Sequence, residues 1–367
     1  MNNNHVTVLE IDSQAVLHNL AYFKQKLQPQ TKILAVVKAY GYGSESVEIA
    51  KIVQDQVDYF AVAYSNEGIA LREAGIKTPI LVLQPQIQNL EEIVKYRLEP
   101  SLYSFKIFDA FMKLADETPL MNYPIHIKFN TGLNRLGFWH TDVPALIAEL
   151  KKSNNVKVES IFSHLAASED PYERDFTVGQ INNFAYIVKQ VYKHLGYEPM
   201  IHILNTSGII NYPQAQFDMV RLGIGLYGFG NDDQETAQLK NTHTLKSIIS
   251  QIHLIQPGET VGYNRAFVAS QTTRSATIPI GHADGISRRL GNKNGFVFIN
   301  NQPAPIIGNV CMDMIMVDVT KIDCNEGDEV IIFNHQQHVE YMAHKSETIP
   351  YEILTALSQR IKRLVKR

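Results

Sequence analysis

From residue 12 to about residue 230 the chain alternates short apolar runs with segments of helical period, eight times over. The runs cover residues 33–37, 59–63, 80–83, 99–102, 125–129, 158–162, 201–204 and 217–220. Between them lie helix candidates such as 47–54, 67–74, 105–115, 143–150 and 177–195. The stretch 65–75 starts on a serine cap and stops at a glycine. The continuous apolar run 33–37 reads as a strand buried on both faces. Eight strands alternating with helices fit a (β/α)₈ barrel, and this span has the usual barrel size. A doubly wound open sheet is the alternative, but eight units favour closure.

The pattern breaks near Asp232. Residues 231–241 are polar and read as a linker. Beyond them, runs at 245–255, 275–280, 296–299, 314–319 and 329–333 are separated by turn pairs such as Pro257-Gly258 and Asn300-Asn301. The fold class is thus α/β: a TIM-type barrel over 12–235, then a mostly β domain over 236–367. Residues 7–11 alternate and are candidates to join the later sheet. One helix over 351–365 is expected to close the chain, with the basic stretch 360–367 as its solvated end.

Charge is nearly balanced, at 34 basic against 37 acidic residues. That argues against nucleic acid or an acidic membrane as the main partner. The two cysteines, Cys311 and Cys324, imply no disulfide framework and point to a reducing cytoplasm. Residues 1–10 lack the apolar core of a signal peptide, and no run reaches membrane-span length.

Chemistry is expected at the carboxyl ends of the barrel strands. Lys38 follows the first strand, and Gly41 and Gly43 follow Lys38. A desolvated lysine can lose its proton and form a Schiff base with an aldehyde; a lysine snorkelling from a strand end is the plain alternative. The two glycines would let the backbone approach a bulky cofactor. After the seventh and eighth strands come Asn205-Thr206-Ser207-Gly208 and Arg221-Leu222-Gly223-Ile224-Gly225, where this fold usually binds phosphate. Lys128 and Arg135 follow the fifth strand; two cations at one mouth call for an anion. His164 follows the sixth, as a ligand, a base or a positioning group. In the second domain, Tyr263 beside Arg265 and Cys311 beside Met312 stand in dense motifs, none with metal-ligand spacing.

Taken together, these residues resemble the alanine racemases, which use pyridoxal 5'-phosphate (PLP). Lys38 with Tyr42 is similar to the cofactor-lysine motif of that family. KFNTGLNRLG at 128–137 resembles its loop after the fifth strand. His164, Asn205-Thr206, Arg221 to Gly225, Tyr263, the 281–285 motif, Cys311-Met312-Asp313 and Tyr351-Glu352-Ile353-Leu354 follow in family order. The resemblance implies a homodimer with shared active sites, interconverting L-alanine and D-alanine and supplying D-alanine for bacterial peptidoglycan. Lys38 would hold PLP covalently and serve as the base on the D face. Tyr263, from the partner subunit, would serve the L face. Tyr42, Thr206, Gly223, Ile224 and Tyr351 would bind the phosphate, with Asn205 beside them. Arg221 would bond the pyridine nitrogen with His164 against it. Arg135 and Met312 would meet the substrate. Lys128 matches a position that carries a carbamate in many members, which would answer the expected repulsion from Arg135.

The chain departs from that family at several places. Tyr40, Gly41 and Ser44 replace the usual residues after the lysine, and Asn130 stands where aspartate is common. His282 and Asn309 replace a tyrosine and an arginine near the entrance, where Glu169, Arg288 and Ile349 also lie. Three other readings stay open: a racemase of serine or broader specificity, a non-catalytic PLP carrier, and a cofactor-free Schiff-base lyase. The carrier type lacks a β domain, and the lyase leaves Arg221 unexplained.

Overall fold

The computed structural model describes residues 5–118 and 120–366. The chain enters through strand β1 (Val8–Asp12) and a helix, Ser13–Gln25, capped by the Asp12 carboxylate on the Ala15 N–H. Eight parallel strands follow: β2 (Lys32–Val36), β3 (Tyr59–Val62), β4 (Ile80–Val82), β5 (Glu99–Leu102), β6 (Tyr123–Lys128), β7 (Val156–Phe162), β8 (Met200–His202) and β9 (Met219–Leu222). They neighbour one another in the order β8-β7-β6-β5-β4-β3-β2-β9. The Asp218 and Arg221 N–H groups donate to the Ile201 and Leu204 carbonyls at 3.2 and 3.0 Å, which ties β9 to β8 and closes the barrel. Leu34, Ala35, Phe60, Ala61 and Leu81 are fully buried, as strands covered on both faces require. Each large apolar side chain among them contributes roughly 1.5–3 kcal/mol of burial.

The second part is a nine-stranded sheet, with β10 (His243–Ile248), β11 (Gln251–Ile255), β14 (Thr273–Ile278), β15 (Phe296–Ile299), β16 (Gln302–Ile307), β17 (Ile315–Asp318), β18 (Glu329–Phe333) and β19 (Lys362–Lys366) joined by β1. A separate hairpin pairs β12 (Thr260–Val261) with β13 (Phe267–Val268). The first strand runs antiparallel to β10 and parallel to β19.

Several sequence expectations need correction. The closing helix over 351–365 is instead a short helix, Pro350–Thr355, followed by β19. Its basic residues are not a solvated helix end: Arg360 pairs with Asp284 and Asp313, and Arg363 donates to the carbonyls of Leu357, Ser358 and Ile361. Arg367 lies outside the described residues, as do residues 1–4. The run 245–255 is two strands, broken at Ile249 and Ser250. Ser65 is the first helical residue rather than the cap; the Glu67 carboxylate closes that helix start by accepting from the N–H groups of Ala63 and Tyr64. The linker 231–241 contains a helical turn, Asp233–Thr236.

The Lys38 segment takes an uncommon form. Ala39, Tyr40 and Gly41 have φ of 53°, 56° and 61°, and Tyr42 and Gly43 continue at 53° and 82°. This is one turn of left-handed helix, which costs about 1–2 kcal/mol per non-glycine residue. Long-range contacts hold it. The Ala39 N–H donates to Glu67 Oε1 at 2.7 Å, Arg363 Nε donates to the Gly43 carbonyl at 2.9 Å, and the Arg363 guanidinium lies 5.2 Å from the Tyr40 ring centre. Ser44 Oγ lies 2.6 Å from Nε2 of the buried His243. The expected use of the glycines is also corrected. A Cβ on Gly41 would meet the Ser46 backbone at 3.0 Å, and one on Gly43 would meet the Leu354 carbonyl at 2.1 Å. Both serve the turn and its packing.

Candidate active site

The barrel-mouth residues to which the family resemblance gives a role line one connected hollow. A cavity of about 280 Å³ is lined by Lys38, Tyr42, Lys128, Arg135, His164, Asn205, Thr206, Arg221, Gly223, Ile224 and Tyr351, with Phe162 on one wall. It opens into a wider mouth of about 620 Å³ that shares Arg135, His164, Asn205, Ile224 and Tyr351. Four cationic side chains face the inner cavity, and no carboxylate is among its lining residues. Such a chamber is built for an anion.

The electrostatics follow from that imbalance. Burial, with Arg135 and Arg221 nearby, lowers the Lys38 pKa, and Glu67 only partly opposes them. Burial and the neighbouring cations Arg135, Arg221 and Lys38 lower Lys128 to about 7. Arg221 is buried and lowered to about 9, still protonated at neutral pH. Burial and Arg221 also push His164 well below the ordinary histidine value, so its ring is neutral. The Phe162 ring tempers the charges, with Lys128 Nζ at 5.8 Å and Arg221 Cζ at 5.5 Å from its centre.

Backbone and hydroxyl groups build one end of the cavity. Thr206 Oγ1 accepts the N–H groups of Gly223 and Gly225 at 3.1 and 3.3 Å. With both lone pairs engaged, its own proton is free for a ligand in the cavity. The Gly223 N–H is therefore directed at Thr206; what Gly223 gives is space, since a Cβ there would lie 2.7 Å from Tyr42 Oη. Asn205 caps the helix Thr206–Asn211 through Gly208, and its carboxamide oxygen also takes the Ser168 hydroxyl. Tyr42 is buried, stacks on Tyr227 at 4.5 Å and is tilted 46° against Tyr351 at 6.0 Å. Burial raises both phenols, Tyr351 to about 12 with Glu169 contributing, so each is a neutral donor.

Arg221 is fixed in place by four acceptors. Its guanidinium reaches His202 Nδ1 at 2.7 Å, His164 Nδ1 at 2.9 Å and the carbonyls of Ser163 and Ile203 at 2.8 and 2.9 Å. Motif reading picks out His164 and passes over His202, which lies inside an apolar run. It misses His126, Ser160 and Glu99 for the same reason. The available signal is polar residues recurring within barrel strands, as in His126 and Lys128 on β6.

Tyr263 and Met312 lie elsewhere. Both are exposed, at 70% and 59%, in a depression of about 460 Å³ with Val261, Cys311 and Met314. That depression shares no lining residue with the barrel hollow. Among the described residues there is no metal-type cluster of His, Cys, Asp or Glu, and no helix long and apolar enough to cross a membrane.

Comparison with known proteins gives the same frame. A family model described as the alanine racemase N-terminal domain matches residues 11–230, and its C-terminal counterpart matches 242–365. Alanine racemase 1 of Caldanaerobacter subterraneus subsp. tengcongensis is 36% identical over 371 residues, covering 98% of this chain and 94% of that protein. Alanine racemase of Carboxydothermus hydrogenoformans is 36% identical over 366 residues, covering 97% and 98%. Among solved structures, alanine racemase of Clostridium difficile 630 superposes with a TM-score of 0.93 at 32% identity, covering 98% of this chain and 96% of that one. That of Bartonella henselae, with covalently bound pyridoxal phosphate, gives 0.88 at 30% identity, covering 98% and 99%.

Proposed function

The chain belongs to the alanine racemase family, and from that premise we propose how its residues divide the interconversion of L-alanine and D-alanine. One observation supports the reading above others: a lysine with lowered pKa shares a carboxylate-free cavity with Arg221 and a Tyr42–Thr206–Tyr351 donor set. These residues fit PLP. Its phosphate matches the donors around Thr206, its aldehyde matches Lys38, and its ring nitrogen matches Arg221. When bound, PLP supplies an electrophilic carbonyl and a ring that stabilises negative charge at the α-carbon of alanine.

Lys38 would hold the cofactor and, as a free amine, would take or return the α-proton of alanine on the D face. Tyr263 of the second subunit serves the L face, with Met312 beside the substrate. Two bases on opposite faces move a proton without turning the substrate over. Arg221, protonated at neutral pH, would face the ring nitrogen as a hydrogen-bond donor that does not readily give up its proton. His164, neutral, braces Arg221. Arg135 holds the substrate carboxylate. A carbamate on Lys128 supplies the anion that its lowered pKa and the surrounding cations favour.

The exposure of Tyr263 and Met312, apart from the barrel hollow, supports a homodimer with shared sites. We assign residues 12–235 to the cofactor barrel and 236–367 to the β-rich domain, with 1–11 added to the latter. The free Cys311 and Cys324 support a cytoplasmic enzyme that supplies D-alanine for peptidoglycan. The test is Lys38→Ala. The purified protein should lose its borohydride-sensitive visible absorbance and its racemisation of alanine together. Retention of both overturns the assignment.

A further inference from the structure

A polar chain runs through the barrel interior from Arg221 to Glu99. Arg221 Nη1 meets His202 Nδ1 at 2.7 Å, and His202 Nε2 meets Ser160 Oγ at 3.0 Å. Ser160 Oγ meets His126 Nδ1 at 2.6 Å, and His126 Nε2 meets Glu99 Oε2 at 2.7 Å. The register explains the contacts: Ser160 is the β7 partner of His126 on β6, and also neighbours Met200 on β8. All five residues are buried.

The two ends dictate every direction except that between Ser160 and His126, which follows for a neutral His126 ring. A guanidinium only donates, so His202 Nδ1 accepts and its proton sits on Nε2. A carboxylate only accepts, so His126 Nε2 carries a proton, and with a neutral ring Nδ1 accepts from the Ser160 hydroxyl. Ser160 then takes the His202 proton and passes its own to His126. Each donor points from Arg221 toward Glu99, and each bond polarises the next. Arg221 has no carboxylate among its direct partners, so this line is its link to an anion.

We propose that Glu99 is a positioning residue that acts through His126, Ser160 and His202 to set the tautomer of His202 and the donor strength of Arg221. The inference rests on the reading of Arg221 as the partner of the cofactor ring. With the carboxylate in place, His202 is a stronger acceptor and Arg221 a weaker donor toward the cavity. Glu99→Gln keeps the size and removes the charge. Its amide can also donate to His126 Nε2, which allows the chain to reverse.

The test uses ring-¹⁵N-histidine protein, with and without added PLP, as wild type, Glu99→Gln, Ser160→Ala and the double variant. Wild type should show His126 and His202 neutral and protonated on Nε2. Glu99→Gln should shift the distant His202 signals, and Ser160→Ala should abolish that response to residue 99. In turnover, a reversed chain would set a His202 N–H against Arg221 and displace the guanidinium, so Glu99→Gln should lower kcat about tenfold with KM unchanged within about twofold, since residue 99 touches no substrate. Unchanged His202 signals in Glu99→Gln overturn the proposal, as does an imidazolium at His126. So does an effect of residue 99 that survives Ser160→Ala, which would mark repacking. If Glu99→Gln does not fold, Ser160→Ala alone decides, by shifting the His202 signals or leaving them alone. The PLP-free spectra make the relay independent of Lys38, so its failure and that of the racemase reading are distinguishable.

Discussion

The backbone of Gly43 lies against the carbonyl of Leu354, so that a Cβ at position 43 would sit 2.1 Å from that oxygen. The contact presses the left-handed Lys38 turn onto the helix that carries Tyr351. Gly43→Ala should therefore destabilise the protein by more than the roughly 1–2 kcal/mol of a left-handed alanine. Gly75 is the control, with φ of +89° and nothing within 4 Å of a built Cβ. Urea midpoints should fall further for Gly43→Ala than for Gly75→Ala, and only Gly43→Ala should weaken PLP retention. Equal midpoints would show that the turn can back away from Leu354.

Shared sites are tested by mixing two inactive proteins. Lys38→Ala lacks one base and Tyr263→Phe the other, so a mixed dimer contains one site with both. Activity should return on subunit exchange, to at most about half of the wild-type value per mixed dimer. Exchange demonstrated by mass, with no activity regained, rules out sharing.

A carbamate on Lys128 forms when its neutral amine attacks carbon dioxide and releases a proton. A pKa near 7 leaves much of that amine neutral at physiological pH. Protein equilibrated with ¹³C-bicarbonate should show a carbamate resonance that Lys128→Ala lacks. Full activity without such a signal points to a bound chloride in its place.

The same lysine sets a pH dependence in protein freed of PLP and carbon dioxide. Its folded pKa is lowered, so folding favours the neutral amine, and the unfolded chain holds more protons between about pH 7 and pH 10. Stability should rise with pH across that window, because below it the buried charge opposes folding in full. Lys128→Met should flatten the rise. Lys38, lowered in the same sense, should leave a residual slope. Urea titrations across the window measure both.

The barrel is legible because each of its eight strands leaves an apolar run, and boundaries move by only a few residues. The sheet of the second domain is less so. Pro303 and Pro305 disguise β16, and they are tolerated because only Ile306 and Ile307 pair with β17. The helix Gln336–Ser346 escapes notice because its exposed face is polar and its apolar stripe is thin. Charge alone also misleads at the carboxyl end, where Arg360 bonds aspartates and Arg363 bonds carbonyls. In the site, motifs locate Lys38, Arg221 and Thr206, because their loops carry glycines and hydroxyls. They do not reveal Glu67 or the Glu99–His202 chain, whose roles depend on which strands become neighbours.

Arg363, on the last strand, holds the Gly43 carbonyl and covers Tyr40, while Leu9 on the first strand pairs with both Leu245 and Arg363. During synthesis, then, the barrel strands all emerge before the residue that pins the turn bearing Lys38. A nascent barrel would carry its cofactor lysine on a loop held by Glu67 but not yet by Arg363, beside a first strand still without either neighbour. Competence to bind PLP would arrive late, with emergence of β19 and its Arg363 from the ribosome, rather than growing as the barrel is made.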